Sequence, residues 1–275
     1  MKTMKNKLKW GVLALSSTVL VACAAVDTTG TGTVGIDRKQ YMSSLVSEAE
    51  LNQTAVKQYS QIIGQARSSS KLDTNKAQTQ RVRTIAQRLI AQVGTFRPDA
   101  QNWDWQIHVI NSNEVNAWCM PGGKMAVYSG FIQQTKATDD ELAAVIGHEI
   151  AHALREHSRE QMSQQMTTSL GLSVLSALTG SAAVSDLGGA LTEVMFELPN
   201  SRSHEMEADR LGVELAARAG YDPRAAMTLW QKMDALGGAR QPEFLSTHPS
   251  PTSRINDLRL AAERVMPLYE QNKRK

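Results

Sequence analysis

The stretch His148-Glu149-Ile150-Ala151-His152 puts the tightest limit on what this chain can fold into. Two imidazoles four residues apart share one face of an α-helix, close enough to hold one Zn²⁺. Ala143, Ile146, Gly147, Ile150, Ala153 and Leu154 form an apolar stripe on a different face. A purely structural helix would bury the stripe and leave both histidines in water. A metal helix must bury both faces, the second around the ion, and so belongs near the centre of the molecule. Glu149, between the two candidate ligands, is placed to take a proton from an attacking water. Thr138 with Glu141 three residues on is a capping box that starts the helix.

A hydrolytic zinc site needs three protein ligands and an open position. The best source of the third is Glu205-Met206-Glu207-Ala208-Asp209, on a predicted helix over about 202–219. Glu205 and Asp209 share a face by i,i+4 spacing. Glu205 would ligate the ion, and Asp209 would accept the free N–H of a ligand histidine and fix its tautomer. Taken alone, such a run is more often a solvated acidic face.

The ends of the chain suggest its compartment. Lys2, Lys5, Lys7 and Lys9 precede an apolar run, 11–22, that is too short for a final membrane anchor. Leu20-Val21-Ala22-Cys23 resembles a bacterial lipobox, which implies a signal peptide over 1–22 and a lipidated Cys23. Ala24 rather than Asp after the Cys implies an outer-membrane anchor facing the periplasm. Subtracting the four signal lysines from the net charge of +3 leaves −1, so no basic surface argues for nucleic acid. Cys119 is then the only other cysteine, and no disulfide framework is available.

The Thr/Gly-rich segment before Ile36 reads as a flexible tether, giving a division into 1–22, 23–36 and a catalytic domain over 37–275. Helices are expected over about 40–65, with Leu45, Leu51, Val56, Tyr59 and Ile63 for burial, and over 75–93. Strands are expected over 103–110, 115–120 and 124–128, the last two joined at Pro121-Gly122-Gly123 as a hairpin in a small antiparallel sheet. Residues 158–191 read as a helical hairpin, with a mobile flap as the alternative. Further helices are expected over 223–235 and 253–270. The fold class is α+β and mostly helical.

Three separated motifs carry a resemblance. Asn116-Ala117-Trp118-Cys119-Met120-Pro121-Gly122-Gly123, the segment 201–209, and His248-Pro249-Ser250-Pro251-Thr252-Ser253-Arg254-Ile255 flank the H-E-x-x-H helix in order. Together they resemble the gluzincin family of the CAAX prenyl protease and the heat-shock protease HtpX, with soluble periplasmic lipoprotein members. The resemblance spans about 36–266. It implies a zincin-like domain with one Zn²⁺ held by His148, His152 and Glu205, and Glu149 as the general base. It implies Arg254 beside the active site, where it is a candidate oxyanion donor; a surface ion pair is the alternative. His248 is a candidate fourth ligand that blocks the open position, or an ordinary loop histidine. His157, five positions after His152, falls off the ligand face, and His108 reads as packing or surface.

The edge strand at Asn116, Ala117 and Trp118 could bind an extended peptide as an added strand. Backbone recognition tolerates many sequences, which points to unfolded or misfolded envelope proteins as substrates. The competing class is a chaperone-like or assembly-factor lipoprotein with a latched, low-activity zinc site.

Overall fold

The computed structural model describes residues 23–177, 187–236, 242–249 and 253–273. In chain order the elements are β1 Cys23–Val26, β2 Gln40–Ser43, α1 Glu48–Ser68, α2 Lys76–Ile90, β3 Gln106–Ile110, β4 Ala117–Met120, β5 Lys124–Tyr128, α3 Ser129–Thr135 and α4 Asp139–Leu154. Then follow α5 His157–Ala177, α6 Leu187–Phe196, α7 Arg202–Arg218, α8 Ala225–Leu236, the one-turn α9 Glu243–Thr247 and α10 Arg254–Asn272. The fold is mostly helical α+β, as expected. The signal-like segment 1–22 lies outside the described residues.

Local chemistry sets the helix starts. The Ser47, Asn75, Thr138 and Ser201 side chains each accept a hydrogen bond from a backbone N–H in the first turn of the following helix. Thr138 and Glu141 form the complete capping box. Because Ser47 caps α1, the helix begins at Glu48 and not near Gln40. Leu51, Tyr59 and Ile63 are buried as expected, but Leu45 and Val56 are exposed.

The strands of the 3-stranded sheet run in the order β3-β5-β4. The β4–β5 hairpin is antiparallel, but β3 pairs with β5 in parallel, so the sheet is mixed rather than antiparallel. The chain leaving β3 crosses the end of the sheet and returns as the outer strand β4, leaving the middle place to β5. Gly122 and Gly123 turn the hairpin with φ of +74° and +79°. The period-2 alternation splits the sheet between two cores. Ala117, Cys119, Met125 and Val127 face the larger core, while Trp118, Met120 and Ala126 face a smaller one shared with α1 and α6.

At the centre α4 packs on α7. Gly147 and Gly212 let the two backbones touch: a Cβ at Gly212 would lie 2.7 Å from His148 N. This contact fixes α7 beside the histidines of α4, whose side chains from Glu141 to Leu154 are all buried. No helix among the described residues is long and apolar enough to cross a membrane.

The segment expected to be a flexible tether is packed against the body. Strand β1 pairs antiparallel with β2, and Val34 and Ile36 are buried. Gly30 N donates to Phe96 O at 2.7 Å, and Val34 N donates to Glu214 Oε2 at 2.9 Å. Composition alone read Thr and Gly as solvated, whereas two apolar anchors and distant acceptors dock the chain. We call residues 23–43 the N-terminal arm.

Candidate active site

Helix α4 turns His148 and His152 toward one point, with their Nε2 atoms 3.0 Å apart. Helix α7 brings Glu205, whose Oε2 is 3.5 Å from His148 Nε2 and whose Oε1 is 3.3 Å from His152 Nε2. His248, just after α9, completes the group. One donor atom from each of the four buried residues lies within 4.8 Å of the others. Glu205 Oε1 is buried with no hydrogen-bond partner among the described residues. Imidazole lone pairs facing one another beside an unpartnered carboxylate oxygen suit a shared cation, and a His/His/Glu set suits Zn²⁺.

Electrostatics keep the donors in ligating form. Burial, reinforced by His152, Arg254 and His248, pushes His148 well below its ordinary value, so its ring is neutral. Burial alone would raise Glu205, but His248, His152 and Arg254 outweigh it and hold the carboxyl at about 2. Burial brings His248 down to about 4, despite the opposing pull of Glu205.

His148 has Asp209 behind it, with Nδ1 to Oδ1 at 3.0 Å. The Nδ1 proton therefore goes to Asp209, and the Nε2 lone pair points at the donor group. Arg254 does not point into the cleft as an oxyanion donor. Its two terminal nitrogens donate to Glu205 Oε2 at 2.9 Å and Asp209 Oδ1 at 2.7 Å, and its guanidinium lies 3.3 Å over the Trp230 ring. A buried cation between two carboxylates on α7 gains more there than it would in the cleft, so Arg254 clamps the ligand and the carboxylate behind it. Burial still raises Asp209 to about 6, against the lowering effect of Arg254.

Glu149 lines a cleft beside the donors. Its Oε1 has no hydrogen-bond partner among the described residues. Burial, with the nearby Glu205 charge, lifts its carboxyl well above the ordinary range. One wall of the cleft is Asn116, Ala117, Trp118 and Cys119, the outer edge of β4. Val194, Met195 and Phe196 at the end of α6 also line it, with the Phe196 ring edge-to-face against Trp118 at 5.8 Å. The residues between α5 and α6 lie outside the description.

Comparison with known proteins agrees with this geometry. Residues 76–262 match the model of peptidase family M48. The chain belongs to peptidase family M48. It is similar to the mitochondrial metalloendopeptidase OMA1 of Schizosaccharomyces pombe, 38% identical over 183 residues, covering 64% of this chain and 51% of that protein. The protein of that name from Arabidopsis thaliana is 37% identical over 169 residues, 61% of this chain and 34% of its own. The beta-barrel assembly-enhancing protease of Escherichia coli is 28% identical over 220 residues, 76% of this chain and 44% of its own. The chain thus spans about half or less of the length of these curated relatives. By family and donor set, it carries a zinc metalloendopeptidase domain.

Four residues of this M48 site were not legible from spacing. His157 Nδ1 lies 2.9 Å from His152 Nδ1, and His157 Nε2 lies 3.2 Å from Glu207 Oε2. Arg155 and Arg38 both pair with Glu207. Helical geometry put His157 off the ligand face, but α4 stops at Leu154 and Glu156 takes a left-handed φ of +49°. That break swings His157 back behind His152. The nearest signal in the sequence was a histidine so soon after the motif. His108 instead pairs with Asp73 at 2.6 Å on β3, away from the cleft.

Proposed function

We propose that this domain hydrolyses peptide bonds of unfolded or misfolded envelope proteins, with zinc held by His148, His152 and Glu205. The observation that carries it is the buried donor group at the base of a cleft with a strand edge for a wall. When bound, zinc supplies a Lewis acid that acidifies water and polarises a carbonyl. The protein's own groups do the rest. Among the described residues strand β4 is paired on one side only, so Asn116, Ala117 and Trp118 offer an edge to an extended chain. Glu149, raised by burial, accepts the proton of the attacking water and returns it to the leaving amine. Arg254 holds Glu205 and Asp209 in place. The test is casein hydrolysis and bound zinc in the wild type and Glu149→Gln. Both should hold zinc, and only the wild type should cleave; equal cleavage in the two would sink the mechanism.

A latched state of the same site is favoured by His248. Its Nδ1 donates to the Phe244 carbonyl at 3.1 Å, which leaves the Nε2 lone pair facing the donors. Nε2 also lies 3.4 Å from Glu149 Oε1. In this position His248 would take the place a bound zinc leaves for water, and it crowds Glu149. His248→Ala should raise turnover of an unfolded substrate several-fold. Unchanged or lower turnover would remove the latch, and with it the support for a chaperone-like, low-activity lipoprotein.

Within the same reading the chain is a lipoprotein of the periplasmic branch of the CAAX protease and HtpX type. Residues 1–22 are removed, and Cys23 anchors the 37–275 body to the outer membrane. Support comes from the lipobox-like sequence and from the relatives that are named beta-barrel assembly-enhancing proteases. Labelling with a palmitate analogue followed by membrane fractionation tests the anchor, with Cys23→Ser as the comparison. An unlabelled wild type would overturn it.

A further inference from the structure

The N-terminal arm reaches the metal site through a continuous chain of hydrogen bonds. His152 turns Nε2 to the donor group, so its Nδ1 carries the proton and donates it to His157 Nδ1 at 2.9 Å. His157 must then accept at Nδ1 and keep its own proton on Nε2, which donates to Glu207 Oε2 at 3.2 Å. Glu207 is a buried carboxylate, and two arginines hold it. Arg155 Nε donates to Oε2 at 2.9 Å, and Arg38 of the arm engages both carboxylate oxygens.

Arg38 is itself fixed. It forms a two-point fork on Glu160 of α5, at 2.7 and 2.8 Å, and Gln40 donates to the same carboxylate at 3.0 Å. The Arg38 carbonyl accepts from Arg155 at 2.9 Å, so backbone and side chain of one arm residue bracket the two ends of the Arg155–Glu207 pair. Arg38 is thus the residue of the arm that touches Glu207 among the described residues, and it is about one-third exposed while its partners are buried.

We propose that Arg38 is a positioning residue for the zinc site. Through Glu207 and His157 it fixes the tautomer and the direction of His152. The physical reason is that a ligand histidine with a free Nδ1–H can rotate and trade tautomers, losing order at the ion. Partners behind a ligand of this kind are worth about 10–100-fold in metal affinity. The proposal rests on zinc occupying this site.

The test measures zinc affinity of the full chain by chelator competition, together with the visible spectrum of the Co²⁺-loaded protein. Arg38→Ala should weaken zinc by about 10-fold and change the Co²⁺ bands, and Arg38→Lys, which keeps charge but loses the fork, should fall between. Arg264→Ala is the control. Arg264 donates to Val34 O at 3.0 Å, so it also holds the arm, but it does not touch the relay. It should lower the melting temperature and leave affinity and spectrum at wild-type values. Affinity within about twofold of wild type in Arg38→Ala, or an equal loss in Arg264→Ala, overturns the proposal. Where Arg38→Ala does not fold, ¹⁵N shifts of the zinc-loaded wild type decide. A proton on His157 Nε2 supports the relay, and one on Nδ1 overturns it. Wild type that binds no zinc would instead defeat the metal-site reading itself.

Discussion

His148 and His152 leave the same helix four residues apart, yet they are held in different ways. His148 gives its Nδ1 proton straight to a carboxylate, Asp209, and Arg254 from the C-terminal helix clamps that carboxylate to Glu205. His152 reaches its carboxylate, Glu207, only through a second imidazole, and the clamps are Arg155 and Arg38. The direct side puts full negative charge against the ligand ring and strengthens it as a donor. The relayed side puts a neutral ring there, so it supplies direction more than charge. The two sides also tie the metal to opposite ends of the chain. The difference teaches that one ligand motif can draw on two independent supports, one electrostatic and one geometric.

The largest expected effect breaks the direct side. Asp209→Asn keeps the shape but removes the charge facing His148 and Arg254, and zinc affinity should fall toward the upper end of about 10–100-fold. Chelator competition reads this, and a loss smaller than that in His157→Phe would invert the ranking of the two sides. Next comes Gly212→Ala, which disturbs both sides at once. Its new methyl meets His148 N at 2.7 Å, so α4 and α7 must part, and the cost should be about 1–3 kcal/mol by urea unfolding. A neutral result would mean that the helix crossing does not fix the donors. His157→Phe, which fills the space but cannot relay a proton, should weaken zinc by about 10-fold with little change in urea midpoint.

The smallest effect is on acid stability. Burial would raise Glu160, but Arg38, His204 and Gln40 outweigh it and hold its carboxyl well below the ordinary range. A depressed folded value gives stability that is fully present above the unfolded value, near about 4.3, and lost as pH falls through the folded one. The urea midpoint of the wild type should therefore decline below about pH 4, and the gap to Glu160→Gln should shrink over that range. A constant gap would show that this ion pair does not hold the relayed side.

Much of the site was legible in the sequence because its grammar is local. H-E-x-x-H on a capped helix, a carboxylate pair at i,i+4 and a Pro-Gly-Gly hairpin each depend on residues within a turn or two of one another. His148, Glu149, His152, Glu205 and Asp209 consequently came together as expected, and the β4 edge lies beside them. Three features escaped because they depend on contacts across tens to hundreds of residues. The left-handed Glu156 broke the helical register that had excluded His157. Arg254 was aimed at a cleft but found stronger partners in Glu205 and Asp209. Thr and Gly in the arm looked solvated until Val34 and Ile36 found a core.

The sequence by itself determined the helix that carries the donor histidines, the type of ion they suit and the glutamate set between them. Side-chain periodicity and donor chemistry are short-range properties, and they are written where the residues are written. Only the tertiary structure decided which groups stand behind the donor histidines, that β3 lies parallel to β5, and that Arg38 of the N-terminal arm pairs with Glu207. Those outcomes follow from the burial of charges, since a carboxylate removed from water must find its cations wherever the fold brings them.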